Sequence, residues 1–359
     1  MNKKIIWGII IIILVVLAVM AGRTTTEYKA SLLPAQTIKI GVIGPMTGGA
    51  SVYGTNLAKG VQLALDSIGE TKNTYQLVFE DDGTNPAQAA SAAQKLVNVE
   101  KVHAILTVTS GTGNSVKPIA ANAKIPQICL CSDSRVADGA YNFTNILMAD
   151  DETSMWLKEA KSRGVKTIAI LGQNQSGYNL LLQALRAQAT SSGITIVYDE
   201  SIDPTVKDFK TNIAKARATK PDLFLIGFFP PQLDIIGQEL KTLGVTNIAG
   251  VATFSIGADP SLFNGRWYSD ASLSSTAFAD EFTKAFPDTR FNVRVAPYAF
   301  DSFNLLVNGF ESGSVLDYLL GVTSYPGKAG TLTKAKGTSS FRAPIGIWEI
   351  KDGKPVQVK

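Results

Sequence analysis

Three features of this sequence predict an α/β fold of two doubly wound parallel-sheet lobes. Its 359 residues are too many for one ordinary domain and suit two. Strand-like and helix-like segments alternate in two successive runs, one from residue 38 and the other from residue 167. The first strand ends in a glycine-rich loop, Gly44–Gly54, which leads into an amphipathic helix. Open parallel sheets bind ligands at that end of their strands. A hydrophobic content of 45% against 18% charged residues supplies a substantial core.

The first run opens with strand Ile38–Ile43, the glycine-rich loop and a helix to about Ile68. Strand Tyr75–Glu80 and an alanine-rich helix follow the turn Asp81–Pro86. Val102–Val108 and Ile125–Leu130 read as strands, with a helix between them from near Ser110. A loop rich in Asp, Asn and Gly (Asp133–Asp151) leads to a helix at Thr153–Arg163. The second run has strands Thr167–Leu171, Ile194–Tyr198, Asp222–Phe228 and Asn247–Val251. Its helices are Tyr178–Ser191, Val206–Ala218 and Gln232–Leu243. Beyond Ala252 the alternation fades, leaving helices at Ser275–Phe286 and Ala296–Phe310. The chain closes on a hairpin, Ile345–Ile350 and Pro355–Val358, turning at Asp352-Gly353.

Ahead of the first run, Lys3 and Lys4 precede an apolar stretch from Ile5 to Met20. This is an export signal that places the remainder outside the cytoplasm. Residues 1–22 serve as a signal peptide or an N-terminal membrane anchor. Sixteen apolar positions exceed the roughly 7–15 of a cleavable core and approach the roughly 17 that span a bilayer, which favours the anchor. Residues 23–36 would be the tether. Setting aside Lys3 and Lys4 leaves 32 basic against 30 acidic residues and no basic run, so nucleic acid is not an expected partner.

Catalytic and cofactor chemistry find no support. The Gly44–Gly54 loop lacks both the dinucleotide spacing and the Gly-Lys-Ser/Thr of a phosphate loop. His103 is the sole histidine and falls inside a predicted strand, so a Ser-His-Asp triad has no base. No cluster has metal-ligand spacing. No catalytic residue, metal or cofactor is therefore expected. Cys129 and Cys131, two apart in a predicted strand, point to one face and are poorly placed to bridge each other. They read as small buried residues.

The wording of the first run is specific. Gly41-x-x-Gly44-Pro45-Met46-Thr47-Gly48, then Tyr53-Gly54, then Asp81-Asp82-x-x-x-Pro86-x-x-Ala89-x-x-x-Ala93-x-x-Leu96-Val97 resemble the branched-chain amino-acid-binding proteins of ABC importers, within the type I periplasmic-binding-protein superfamily. The resemblance spans residues 37–358 and includes Lys207-Asp208-Phe209. It implies three crossings between the lobes, hence a three-strand hinge. Lobe one would be 37–151 with 272–327, and lobe two 152–271 with 328–359. It also implies a small-molecule ligand, an amino acid or related compound, held in the cleft, and ABC permease subunits as partners. A membrane-tethered sensor domain on the same fold is the alternative.

The resemblance also places residues in the cleft. Tyr53 would stand in its wall rather than merely pack. Ser110, with Gly111 after it, would hold a ligand carboxylate where a bare helix cap is the simpler reading. Cys131 and Ser132 match a stretch that grips the ligand, and Asp133 stands where the family commonly has threonine. From lobe two come Ser176, Phe228, which either walls the ligand or plugs the core, and Ala252 in place of the family's glutamate. The disulfide often found in the family would fall at Thr84 and Thr109, and so is missing. An ammonium buried without a counter-ion costs about 3–5 kcal/mol. Either Asp133 serves as counter-ion or the ligand carries no ammonium.

Overall fold

The computed structural model describes residues 35–273 and 275–359, so the expected leader and all but Ala35 and Gln36 of the expected tether lie outside it. Among the described residues no helix is long and apolar enough to cross a membrane.

Near-continuous apolar runs flanked by helices form the strands, as sheets covered on both faces require. The first series is β1 (Thr37–Gly44), α1 (Ser51–Asp66), β2 (Thr74–Asp81), α2 (Pro86–Lys95), β3 (Ala104–Val108), α3 (Ser110–Ala123), β4 (Gln127–Leu130) and β5 (Asn142–Asn145). The second is α4 (Ala149–Ser162), β6 (Thr167–Gln173), α5 (Ser176–Ala189), β7 (Thr195–Ile202), α6 (Lys210–Ala218), β8 (Leu223–Gly227), α7 (Gln232–Thr242), β9 (Ile248–Val251) and β10 (Trp267–Ala271). The chain then forms α8 (Ala277–Ala285), α9 (Ala296–Glu311), α10 (Val315–Gly321), β11 (Ser324–Gly327), β12 (Gly330–Thr333), β13 (Ser340–Phe341), β14 (Ile345–Lys351) and β15 (Lys354–Gln357). Local chemistry fixes the start of α2. There the Asn85 side chain accepts from the Ala87 and Gln88 amides, and Pro86 takes the first helical position.

The strands pair into two main sheets ordered β13-β5-β4-β3-β1-β2 and β15-β14-β10-β9-β8-β6-β7. In both, the strand order reverses about the opening strand, β1 in one and β6 in the other. That is the doubly wound pattern, whose switch point binds ligands. All pairings are parallel within β1–β5 and β6–β10; β10·β14 and β14·β15 are antiparallel, as is the separate two-stranded sheet β11·β12. Helix α9 returns to the first lobe and packs on α1. A Cβ at Gly60 would lie 2.5 Å from the Ala296 carbonyl oxygen, so only glycine permits the crossing.

The chain passes between the sheets three times, after Asn145, after Ala271 and after Phe341. The last crossing differs from the expected one at residue 328. Ser340 and Phe341 still pair with Thr144 and Asn145 of β5 in the first sheet, so the chain crosses only after them. The expected loop Asp133–Asp151 also contains β5, which its polar letters concealed. Its four residues are all buried, and Asn145 donates to the Ser302 hydroxyl at 2.9 Å. Where the alternation faded, β10 supplies a further strand, fully buried between β9 and β14.

The cysteines require a correction. Cys129 and Cys131 are disulfide-bonded, with their Cα atoms 5.3 Å apart. Strand β4 ends at Leu130, so Cys131 has left the pleat that would have held the two residues apart. The separation falls within the roughly 4.4–6.8 Å that a bridge spans. Both are buried, as expected.

Candidate functional site

The carboxyl ends of β1, β3 and β4 face those of β6, β8 and β9 across a cavity of about 120 Å³ between the lobes. Each sheet thus brings its switch point to the same space. The lobes meet closely there, since a Cβ on Gly49 would lie 2.3 Å from the Pro230 carbonyl oxygen.

Lobe one contributes the polar wall. Helix α3 begins at Ser110, directly after β3. Thr109, rather than Ser110, is its N-cap and accepts from the Thr112 amide at 3.4 Å. The first-turn amides of Ser110 and Gly111 have no partner within the helix and sit at its positive end. Both residues line the cavity, as do Cys131 and Ser132 after β4. Thr84 and Thr109 line it too, both with left-handed backbone at φ 68° and 77°. Beneath this wall, buried Asp82 accepts from the Thr112 hydroxyl and from the Thr84 amide at 2.8 Å. Burial raises its pKa above the usual carboxylate value.

Lobe two contributes rings. Ser176 and Gly177, the first turn of α5, line the cavity, followed by Tyr178 and Leu181. Phe229 sits edge-on to Tyr53 of lobe one, with ring centroids 5.4 Å apart, and 5.1 Å from Tyr178. Its backbone amide donates to Gln173 Oε1 at 2.7 Å, which fixes the turn after β8. The Tyr178 hydroxyl donates to the Phe228 carbonyl at 3.0 Å, and the Tyr53 hydroxyl to the Ala252 carbonyl at 3.4 Å. Burial pushes the pKa of both tyrosines above the usual phenol value. They stay neutral and serve as hydrogen-bonding surface.

Of the nine residues expected in the cleft, seven line the cavity: Tyr53, Ser110, Gly111, Cys131, Ser132, Ser176 and Ala252. Two do not. Phe228 faces the core, 5.3 Å from Phe209, because successive residues at a strand end point to opposite sides; its neighbour Phe229 takes the cavity. Asp133 is buried away from the cavity. Its carboxylate accepts from Arg135 Nε and Nη2 at 2.9 Å each, and from Asn114 Nδ2 at 2.8 Å. Although burial opposes its charge, these donors hold its pKa below the ordinary value. Asp133 is an ion-pair anchor for its own turn and does not supply the expected counter-ion.

The residue that sequence reasoning missed is Arg294. It lines the cavity at 4% exposure. Its Nη2 donates to Glu152 Oε1 at 2.6 Å and its Nε to Asp270 Oδ1 at 2.9 Å. Glu152 also accepts from the Ser269 hydroxyl at 3.0 Å. Burial raises the Asp270 pKa, and the two carboxylates raise that of Arg294 despite its burial. Glu152 follows the first crossing, Asp270 precedes the second, and Arg294 leads into α9. No local motif joins residues so far apart. A lone arginine between Val293 and Val295, ahead of an apolar helix, was the available signal. Among the described residues no cluster of three or more His, Cys, Asp or Glu is placed to hold a metal. His103 lies just before β3, off the cavity, where its Nδ1 accepts from the Lys39 amide at 3.1 Å.

Residues 37–357 match the model of a periplasmic binding protein family. Among curated proteins, the chain is 26% identical over 303 residues to a Leu/Ile/Val-binding protein, BraC3, of Rhizobium johnstonii, covering 78% of this chain and 81% of that one. Three further relatives align over 59%, 62% and 64% of their own length. Among solved structures, a leucine-binding protein of Thermotoga maritima superposes with a TM-score of 0.80 at 21% identity, covering 90% of this chain and 98% of that one. A solute-binding protein of an ABC transporter from R. palustris, in complex with 4-hydroxybenzoate, gives 0.79 at 19% identity over 90% and 96%.

Proposed function

The chain belongs to the periplasmic binding protein family, a family of binding proteins rather than enzymes, and we propose that it is the extracytoplasmic solute-binding component of an ABC importer. Its ligand is a small solute carrying a carboxylate. The observation that carries this reading is the cavity itself, formed where the switch points of two sheets meet and opened on one side by the free amides of α3. Free donors and the helix dipole suit an anionic oxygen. The named ligands of similar proteins, leucine and 4-hydroxybenzoate, share a carboxylate.

The geometry supports a hinge mechanism. A ligand first settles on lobe one, whose amides and hydroxyls meet its polar end. Lobe two then rotates about the three crossings and brings Phe229 and Tyr178 over its body. The closed form, in which Tyr53 meets Phe229 across the cleft, is the one a permease recognises. The apolar leader places the protein on the outer side of a membrane, retained as an anchor or cleaved. N-terminal sequencing from the native host separates these, and a mature start at Gly22 rules out the anchor.

The test is a thermal-shift and calorimetric screen of the full chain against amino acids, other small carboxylates, amides and nucleosides. The expected result is one-to-one binding of a carboxylate that is recovered chemically unchanged. Recovery of altered ligand, or binding confined to uncharged compounds, overturns the reading.

A further inference from the structure

Resting on that reading, the geometry points to a narrower ligand class: a carboxylate with an apolar or aromatic body and no ammonium group. The inference follows from where the charges around the cavity are placed. Among the described residues, no aspartate or glutamate lines it. From lobe two, Ala252 lines it with no more than a methyl group.

The nearby carboxylates all stand outside the lining. Asp133 is held by Arg135 and Asn114 away from the cavity. Asp82 is buried under α3 against Thr112 and Thr84. Glu152 and Asp270 lie behind Arg294, which bonds both and stands between them and the cavity. An ammonium would therefore meet a guanidinium before it met either acid.

The groups that do face the cavity favour negative charge. The first turns of two fourteen-residue helices, α3 from lobe one and α5 from lobe two, converge on it. Arg294 presents its guanidinium there, its charge balanced from behind by Glu152 and Asp270, and among the described residues no hydrogen bond occupies its Nη1. Beside the uncharged polar residues Thr84, Thr109, Ser132 and Gln175, the lining is apolar or aromatic, with Tyr53, Tyr178 and Phe229 joined by Leu130, Ile146 and Leu181. Such a surface accepts a ring or branched chain and offers an ammonium no counter-ion.

Matched pairs test this. The full chain is titrated calorimetrically with leucine against 4-methylpentanoate, and with phenylalanine against 3-phenylpropanoate. 4-Hydroxybenzoate is a third acid and its amide a neutral control. The expected result is at least a tenfold preference for the acid lacking the amine in the pair that binds, and no binding of the amide. An amino acid binding as tightly as its deaminated partner overturns the inference while leaving the solute-binding reading intact. If no carboxylate binds and only neutral compounds do, both fall. A second measurement uses Ser176→Asp, which adds a carboxylate at the first turn of α5, where helices favour one. It is expected to fold normally and to bind the deaminated acid at least tenfold more weakly. Unchanged binding of that acid by the variant contradicts the electropositive cavity.

Discussion

The two walls of the cleft are built from the same kind of fold and do different work. Lobe one presents helix-start amides and hydroxyls to the cavity, which are directional and fixed by the backbone of α3. Lobe two presents Phe229 and Tyr178 beside the start of α5, rings that cover area without demanding one orientation. A directional wall can hold a ligand before closure, whereas rings contribute most once water has been excluded. The same division separates two buried charges. Asp133 pairs with a neighbour two residues away whose side chain is 73% exposed, a local contact of modest weight. Arg294 joins three distant segments, with both its partners fully buried.

That contrast can be broken most forcefully at Arg294. Arg294→Met leaves Glu152 and Asp270 buried without their cation, and the loss of one partner of such a cluster costs about 3–5 kcal/mol. Chemical denaturation is expected to show a loss of that order. A loss below about 1 kcal/mol would mean that water reaches the acids. Next comes Ser110→Ala on the polar wall. Removing a hydrogen bond to a charged group costs about 1.5–3 kcal/mol, roughly ten- to a hundredfold in affinity. Calorimetry should record this with unfolding stability little changed.

Phe229→Ala tests the other wall. An aromatic edge contact contributes about 0.5–1.5 kcal/mol beyond its area, so affinity should fall by several-fold. Small-angle scattering should also show less compaction on adding ligand than the parent shows, whereas Ser110→Ala at saturating ligand should compact fully. Asp133→Asn is the smallest change, with affinity expected within about twofold of the parent. Its signature is in pH. The Asp133 pKa is depressed in the folded state, so its ion pair stabilises the fold above the usual carboxylate pKa of about 4. That contribution is lost as pH falls through the lower folded value. The stability difference between parent and variant should therefore shrink on acidification below about pH 4, and a constant difference would refute the ion pair.

The same two walls mark how far sequence could be followed. Lobe one's wall lies within a few residues of three strand ends; strand alternation located those ends, and the family resemblance placed Tyr53, Ser110, Gly111, Cys131 and Ser132 at the cleft, where they line the cavity. Lobe two's wall turned on a choice between adjacent residues, Phe228 or Phe229. Periodicity alone cannot make that choice, because adjacent residues point to opposite sides and a one-residue shift in the assumed register exchanges them. β5 was hidden for a related reason: its Asn-Phe-Thr-Asn is buried in full, and polar letters read as loop until their partners, such as Ser302, are known. Asp133 departs from its expected role because Arg135, two residues on, and Asn114 of α3 hold its carboxylate away from the cavity. Arg294 and its two acids are non-local in the strict sense, brought together by the crossings themselves.

In the proposed mode of binding, lobe one grips a carboxylate and lobe two covers the body attached to it. A crystal structure of the protein with the tightest-binding carboxylate decides this. Carboxylate oxygens are expected within hydrogen-bond distance of the Ser110 hydroxyl and the Ser110 or Gly111 amide, with the body between Tyr53 and Phe229. A carboxylate turned toward Ala252, or a ligand seated outside the cleft, would contradict it.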